Sequence, residues 1–252
     1  MRVEGTVGDL IDALRFVVPA AAAKDEPRFY LNSVLLEVDH SGTHAVATDG
    51  FRLHFSKIAS DKNNSLMRVL IKRQDAARLL KEFGSIVHRG ASYAIDFASQ
   101  CLTVKDVTVH NMDIGDFIYP DWRRVVPENT EQIFRIPNAR LIPFMEMASS
   151  VKGSSGHILF ETSDVDSELY LTGTVHPRKE KNGGAIVLDQ RLNDVEVNRS
   201  YSVAFKYNYI YDVLKSYDER DQIAMHVTSD SHPVRFDAGD DHSFAVVMPK
   251  RV

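Results

Sequence analysis

Polar and apolar residues along this chain follow two periods, and the order in which those periods alternate occurs twice. In the first half, residues 2–6 read as a short strand. Leu10, Ala13, Leu14 and Val17 then recur at the i, i+3, i+4, i+7 spacing of one helix face, which Pro19 ends. Residues 29–38 read as a strand, Ser41 and Gly42 as a turn, and residues 45–55 as a hairpin. A strand at 66–71 leads into a second amphipathic helix over 72–83, with Ala76, Leu79, Leu80 and Phe83 on its apolar side and Gly84 as its stop. Short strands at 93–97, 102–104 and 107–112 complete the half.

The second half keeps this order. Residues 132–136 read as a strand, Pro137 as the start of a first helical turn, and Leu141, Phe144, Met145 and Ala148 as a helical stripe. Strands are expected at 157–161, 169–174, about 185–188 and 201–205, then a helix with Ile210, Val213, Leu214 and Tyr217 on one face. Strands at 223–227, 234–236 and 244–248 close the chain. Val3 corresponds to Ile133 and Ile71 to Phe205, so the offset is nearly constant. The pattern predicts a duplicated α+β domain, each copy having two helices that back antiparallel sheets. The copies occupy 1–127 and 128–252, and the polar, proline-led segment 127–131 is the linker.

At the centre of the first half lies A-V-A-T-D-G-F-R-L-H-F, residues 45–55, whose outer parts alternate as strands buried on one face do. Asp49-Gly50 suits a two-residue hairpin turn, with Phe51, Arg52 and Leu53 as an exposed aromatic, cation and leucine after it. Composition narrows the function classes. Hydrophobic residues form 44% of the 252, enough for sizeable cores, and the net charge of −5 excludes a protein coated all round with basic residues. The single Cys101 forms no intrachain disulfide, and no Cys/His cluster has zinc spacing. The first residues lack the apolar run of a signal peptide and no segment approaches a membrane span, which places the protein in the cytoplasm.

Catalytic signatures are missing. There is no phosphate-cradling G-x-x-x-x-G-K, no G-x-G-x-x-G, no H-E-x-x-H and no G-x-S-x-G, and no cofactor or metal is called for. Asp164, Asp166 and Glu168 are closely spaced but lack the glycine and final glutamate of a calcium loop, so they read as a solvated turn. His40, His44 and His54 have no ligand spacing and read as surface or packing residues.

Four segments in order give the chain a family resemblance. A-T-D-G-x-R-L, with F-Y-L-N (29–32) before it, resembles the middle domain of the bacterial sliding clamp, the ring-shaped β subunit of the replicative DNA polymerase. Y-P-D-W-R-R-V-V-P (119–127) is similar to the segment closing that domain, and Y-I-Y-D-V-L (209–214) and V-V-M-P-K-R-V (246–252) resemble the last domain and its tail. The resemblance covers essentially the whole chain, and the clamp's first domain has no counterpart in it. Phe51 stands where the family has His and Lys206 where it commonly has Asn. The small run Gly153-Ser154-Ser155 falls where a bulky residue is common.

The resemblance implies a non-enzymatic sliding clamp that tethers a DNA polymerase to duplex DNA, with the clamp loader as a further partner. It implies a pocket for short linear partner peptides, walled by Leu31, Thr48, Gly50, Arg52, Leu53, Pro120, Arg124 and Val125 from the first domain and by Tyr209, Val246, Val247, Met248, Pro249 and Arg251 from the second. Because clamp helices line the hole, it also aims Arg15, Lys72, Arg73, Arg78, Lys81, Arg140, Lys206 and Lys215 at phosphates. Two domains per chain imply a homotrimer, with edges near 107–112 of one chain and 185–188 of the next. The alternative is a clamp-fold regulator or adaptor that binds peptides or DNA without encircling it.

Overall fold

A computed structural model describes residues 1–23, 26–59, 65–150, 155–176, 185–229 and 232–250. The chain divides into two compact units, Met1–Trp122 and Arg123–Val252. The first contains β1 (Arg2–Thr6), α1 (Val7–Val17), β2 (Ser33–Asp39), β3 (Gly42–Thr48), β4 (Arg52–Ala59), β5 (Met67–Lys72), α2 (Arg73–Phe83), β6 (Ser92–Asp96), β7 (Cys101–Val104) and β8 (Val107–His110). Its strands run antiparallel in the orders β1-β6-β7-β8 and β4-β3-β2-β5. Helix α1 packs on β3, β4 and α2. Thr6 Oγ1 accepts the Asp9 amide at 3.3 Å at its start, and Asp9 in the first turn faces the positive end of the helix dipole.

The second unit contains β9 (Glu131–Pro137), α3 (Asn138–Ser150), β10 (Ser155–Ser163), β11 (Glu168–His176), β12 (Ile186–Leu192), β13 (Glu196–Val197), β14 (Tyr201–Lys206), α4 (Tyr207–Lys215), β15 (Gln222–Val227), β16 (Val234–Asp237) and β17 (Ser243–Val247). Its sheets run β12-β11-β10-β14 and β13-β9-β15-β16-β17. Apart from the two-residue β13, these are the two strand orders of the first unit. Helices α3 and α4 pack together over a core that includes Phe134, Phe144, Phe160, Phe205 and Phe236. Asn138, fully buried, donates through Nδ2 to the Leu214 carbonyl at 2.8 Å and so ties the start of α3 to the end of α4.

Several sequence expectations change. The strand expected at 29–38 begins only at Ser33 and runs to Asp39, and Phe29–Leu31 is a 3-10 turn. Asn32 Nδ2 donates to the Ala22 carbonyl and Ser33 Oγ to that of Tyr30, both at 2.6 Å, local bonds that compete with a ladder. The 45–55 hairpin closes at Thr48↔Leu53, so the connection spans four residues rather than two. Its strands are buried on both faces, because α1 covers one side while Trp122 packs at a tilt on Phe55 and edge-on to His44. Pro137 ends β9 instead of opening α3. Strand β8 stops at His110. Beyond it the Met112 amide donates to the Leu70 carbonyl at 2.7 Å and Asn111 Oδ1 accepts the Leu70 amide, so residues 111–112 turn to β5. Residues 164–167 form the turn between β10 and β11, while Glu168 opens β11, buried and bound by Arg191 and Tyr170. The run 153–154 lies outside the described residues.

Candidate functional site

The turn between β3 and β4 is built by side chains. Asp49 Oδ1 accepts the amides of Phe51 at 2.9 Å and Arg52 at 3.1 Å, which is how a short acidic side chain fixes a turn. Thr48 Oγ1 donates to the Arg52 carbonyl at 2.6 Å and accepts the Gly50 amide at 3.0 Å. Gly50 has φ +88, a backbone conformation that strains residues with a side chain, and a Cβ there would displace the Arg28 guanidinium, whose Nη1 would lie 2.5 Å away. Arg28 itself donates to the Asp49 carbonyl at 3.1 Å.

Arg52 does not present its guanidinium to solvent. It is 9% exposed, with Nε on Asp49 Oδ2 at 3.1 Å and Nη2 on the Pro19 carbonyl at 2.6 Å. Leu53 and Leu31 are buried as well. Of the trio after the turn only Phe51 is exposed, at 56%. Arg52 therefore shapes the turn from inside, because a buried cation has to be paired. Pro120 is exposed in the first unit, and Arg124 and Val125 are exposed in the second. Asp49 and Arg28, absent from the expected wall, are the residues that hold this turn; the T-D-G sequence carries the signal for the first and nothing local does for the second.

In the second unit Val246 and Val247 lie in β17, opposite Arg235 and Val234, and both are buried. Met248 leaves the strand and is 41% exposed. Pro249 is half-buried, and the Lys250 amide donates to the Ala204 carbonyl of β14 at 2.7 Å. Lys250 Nζ lies 3.2 Å from His157 Nδ1; burial and the Lys250 ammonium push the His157 pKa down, which leaves that nitrogen able to accept. Tyr209 is half-buried, with Lys206 Nζ 4.7 Å from its ring centroid. Arg251 lies outside the described residues.

The basic set falls on the helices of each unit and at the strand ends that lead into them, because Lys72 closes β5 and Lys206 closes β14. In the first, Arg15 donates to Asp12 at 3.1 Å and to the Gly84 carbonyl at 3.4 Å, bridging α1 to the end of α2. Arg78 faces Asp75 at 3.5 Å. Lys72 and Lys81 are exposed, and Lys72 and Arg73 line an open groove with Phe29, Gln74, Ala77 and Met112. In the second, Lys206 and Lys215 are exposed at the two ends of α4, Lys215 over the Tyr211 ring. Arg140 is the exception: its guanidinium donates to the carbonyls of Asn193 and Asp194 and serves the loop after β12.

No helix among the described residues is long and apolar enough to cross a membrane. No family model matches the chain. It is 24% identical over 265 residues to the Beta sliding clamp of Escherichia coli strain K12 and 25% identical over 252 residues to that of Haemophilus influenzae; each alignment covers 99% of this chain and 64% of the relative. The chain thus spans under two-thirds of the length of these relatives. The crystal structure of the DNA polymerase III subunit beta from Pseudomonas aeruginosa matches with a TM-score of 0.80 at 20% identity, over all of this chain and 67% of that one. The chain has the sliding-clamp fold and is similar to bacterial β sliding clamps over almost all of its length.

Proposed function

We propose that this protein is a DNA sliding clamp, a non-catalytic, ring-forming tether that holds a replicative DNA polymerase, its loader and other replication or repair proteins to duplex DNA in the cytoplasm. Its two clamp domains, 1–127 and 128–252, stand for the middle and last domains of the longer relatives. The observation that carries this reading is the twice-used strand order, each copy with a packed helix pair, bearing Arg15, Arg73, Arg78 and Lys81 in one unit and Lys215 with the capping Lys206 in the other. Cations on such faces attract phosphates without regard to base sequence, and the attraction weakens with salt. Among the residues expected to receive partner peptides, Gly50, Pro120, Arg124, Val125 and Met248 are exposed and open to such contact.

Pairing of Arg15 with Asp12 and of Arg78 with Asp75 favours a second reading, an adaptor of clamp fold that does not surround DNA, because these acids dilute the positive face. Reversing charge in Arg78→Glu/Lys81→Glu separates the two. A clamp loses salt-sensitive association with duplex DNA by at least about tenfold at low salt, together with polymerase processivity. Unchanged values of both in a folded variant reject the DNA-facing assignment.

A further inference from the structure

Strand pairing in the first unit places three metal-ligating side chains together that linear spacing keeps apart. Glu37 of β2 is directly opposite His44 of β3, and Asp39, two residues along β2, points to the same face. His44 Nε2 lies 3.4 Å from Glu37 Oε1 and 3.7 Å from Asp39 Oδ2. Ligand atoms around a tetrahedral zinc ion, bonded at about 2.0–2.1 Å, stand about 3.3 Å apart; both separations from His44 are near that value, and all three ligand atoms lie within 4.8 Å of one another.

The surroundings fit an ion better than a simple hydrogen-bond network. His44 is 1% exposed, yet its Nε2 makes no hydrogen bond, although it points between two carboxylates. A buried ring nitrogen left without a hydrogen bond is costly, and coordination satisfies it. The carboxylates are oriented by other donors, as ligands in metal centres usually are. Arg68 Nε donates to Glu37 Oε2 at 2.7 Å and Trp122 Nε1 to Oε1 at 3.2 Å. The Ser41 amide and hydroxyl both bind Asp39 Oδ1, which leaves Oδ2 turned to His44. The turn at Ser41, exposed at the end of the β2–β3 hairpin, gives a way in.

We propose that Glu37, Asp39 and His44 bind one divalent metal ion of the zinc class. The mixed nitrogen and carboxylate set suits Zn²⁺ or Co²⁺ over Mg²⁺ or Ca²⁺, which prefer all-oxygen shells. Bound there, the ion clips β2 to β3 and fixes the carboxylate that holds Trp122. Trp122 is the only tryptophan in the chain, so its fluorescence reports on this site alone.

The test uses the full chain without an affinity tag, stripped with a chelator and titrated with Zn²⁺ while fluorescence and bound metal per chain are measured. One equivalent is expected, with a change in Trp122 emission, and Co²⁺ should give visible absorption of low-symmetry four-coordination. His44→Gln and Asp39→Asn should each weaken binding at least about tenfold, whereas His226→Gln in the other unit should not. No bound equivalent at micromolar Zn²⁺ overturns the proposal. So does bound metal that leaves Trp122 emission unchanged and survives both variants.

Discussion

His54 shows how a single polar residue in the first unit's core makes stability depend on pH. Its Nδ1 is 2.8 Å from the Phe16 carbonyl oxygen, and its ring packs against Phe16. Burial, helped by the nearby Arg52 guanidinium, pushes its pKa down from 6.5 to about 3. The folded state therefore refuses a proton that the unfolded chain accepts. The neutral ring's contribution is fully present above pH 6.5 and is lost as pH falls from there towards 3. Between pH 7 and pH 5 this one group should cost about 2 kcal/mol of unfolding free energy. Urea unfolding at the two pH values measures it, and His54→Gln should flatten the difference by that amount; an equal pH dependence in both proteins refutes the assignment. The sequence shows that His54 sits in a strand, but not that both faces of that strand are covered. Alternation of Thr48, Arg52 and His54 with apolar residues reads as a solvent-facing side, whereas Trp122, far along the chain, and α1 close over the strands. The same lack of tertiary information makes Arg52 look like a free surface cation. Its partners Asp49 and the Pro19 carbonyl are found only in the fold.

Among the elements, the amphipathic helices are the most legible, because a stripe such as Leu10-Ala13-Leu14-Val17 has one explanation and all four side chains are buried. Short apolar runs are less so. Phe29-Tyr30-Leu31 has strand composition yet turns as a 3-10 helix, its chain held by Asn32 and Ser33, and the two residues of β13 are too few to show any period. The tail after β17 is the element whose function is most open to test. Val246 and Val247 are spent on the core, so among the described residues of the tail Met248 is the exposed apolar side chain offered to a partner, while Lys250 pins the chain to β14. Deleting residues 248–252 should leave the second unit folded, since its buried strands are intact. It should weaken binding of a polymerase-derived hydrophobic peptide by at least about tenfold, read by fluorescence anisotropy. Full binding in a folded truncation would place the peptide elsewhere.

At the scale of the whole molecule the question is how many chains associate. Strands β8 and β12 end their sheets, and an unpaired edge invites another strand. These edges belong to different units, so pairing one with the other is head to tail, and such contacts either close into a ring or run on as filaments. If the proposed ring comprises six clamp domains, as the resemblance to sliding clamps implies, closure takes three copies of a two-domain chain. Exposed Ile186 and Val187 on β12 are apolar surface such a contact would cover. Light scattering at micromolar concentration should give a mass three times the 28.4 kDa of one chain. The edge can be tested residue by residue. Val104↔Val107 closes a two-residue turn at Lys105 and Asp106, so the Val109 amide, two residues on, is spent on β7, while those of Thr108 and His110 point outward. Thr108→Pro removes an outward donor without breaking the hairpin, and should shift trimers to monomers whose far-UV dichroism is unchanged. A wild-type mass of one or two chains that persists as concentration rises rejects the closed trimer. A variant that keeps the trimer moves the interface away from β8.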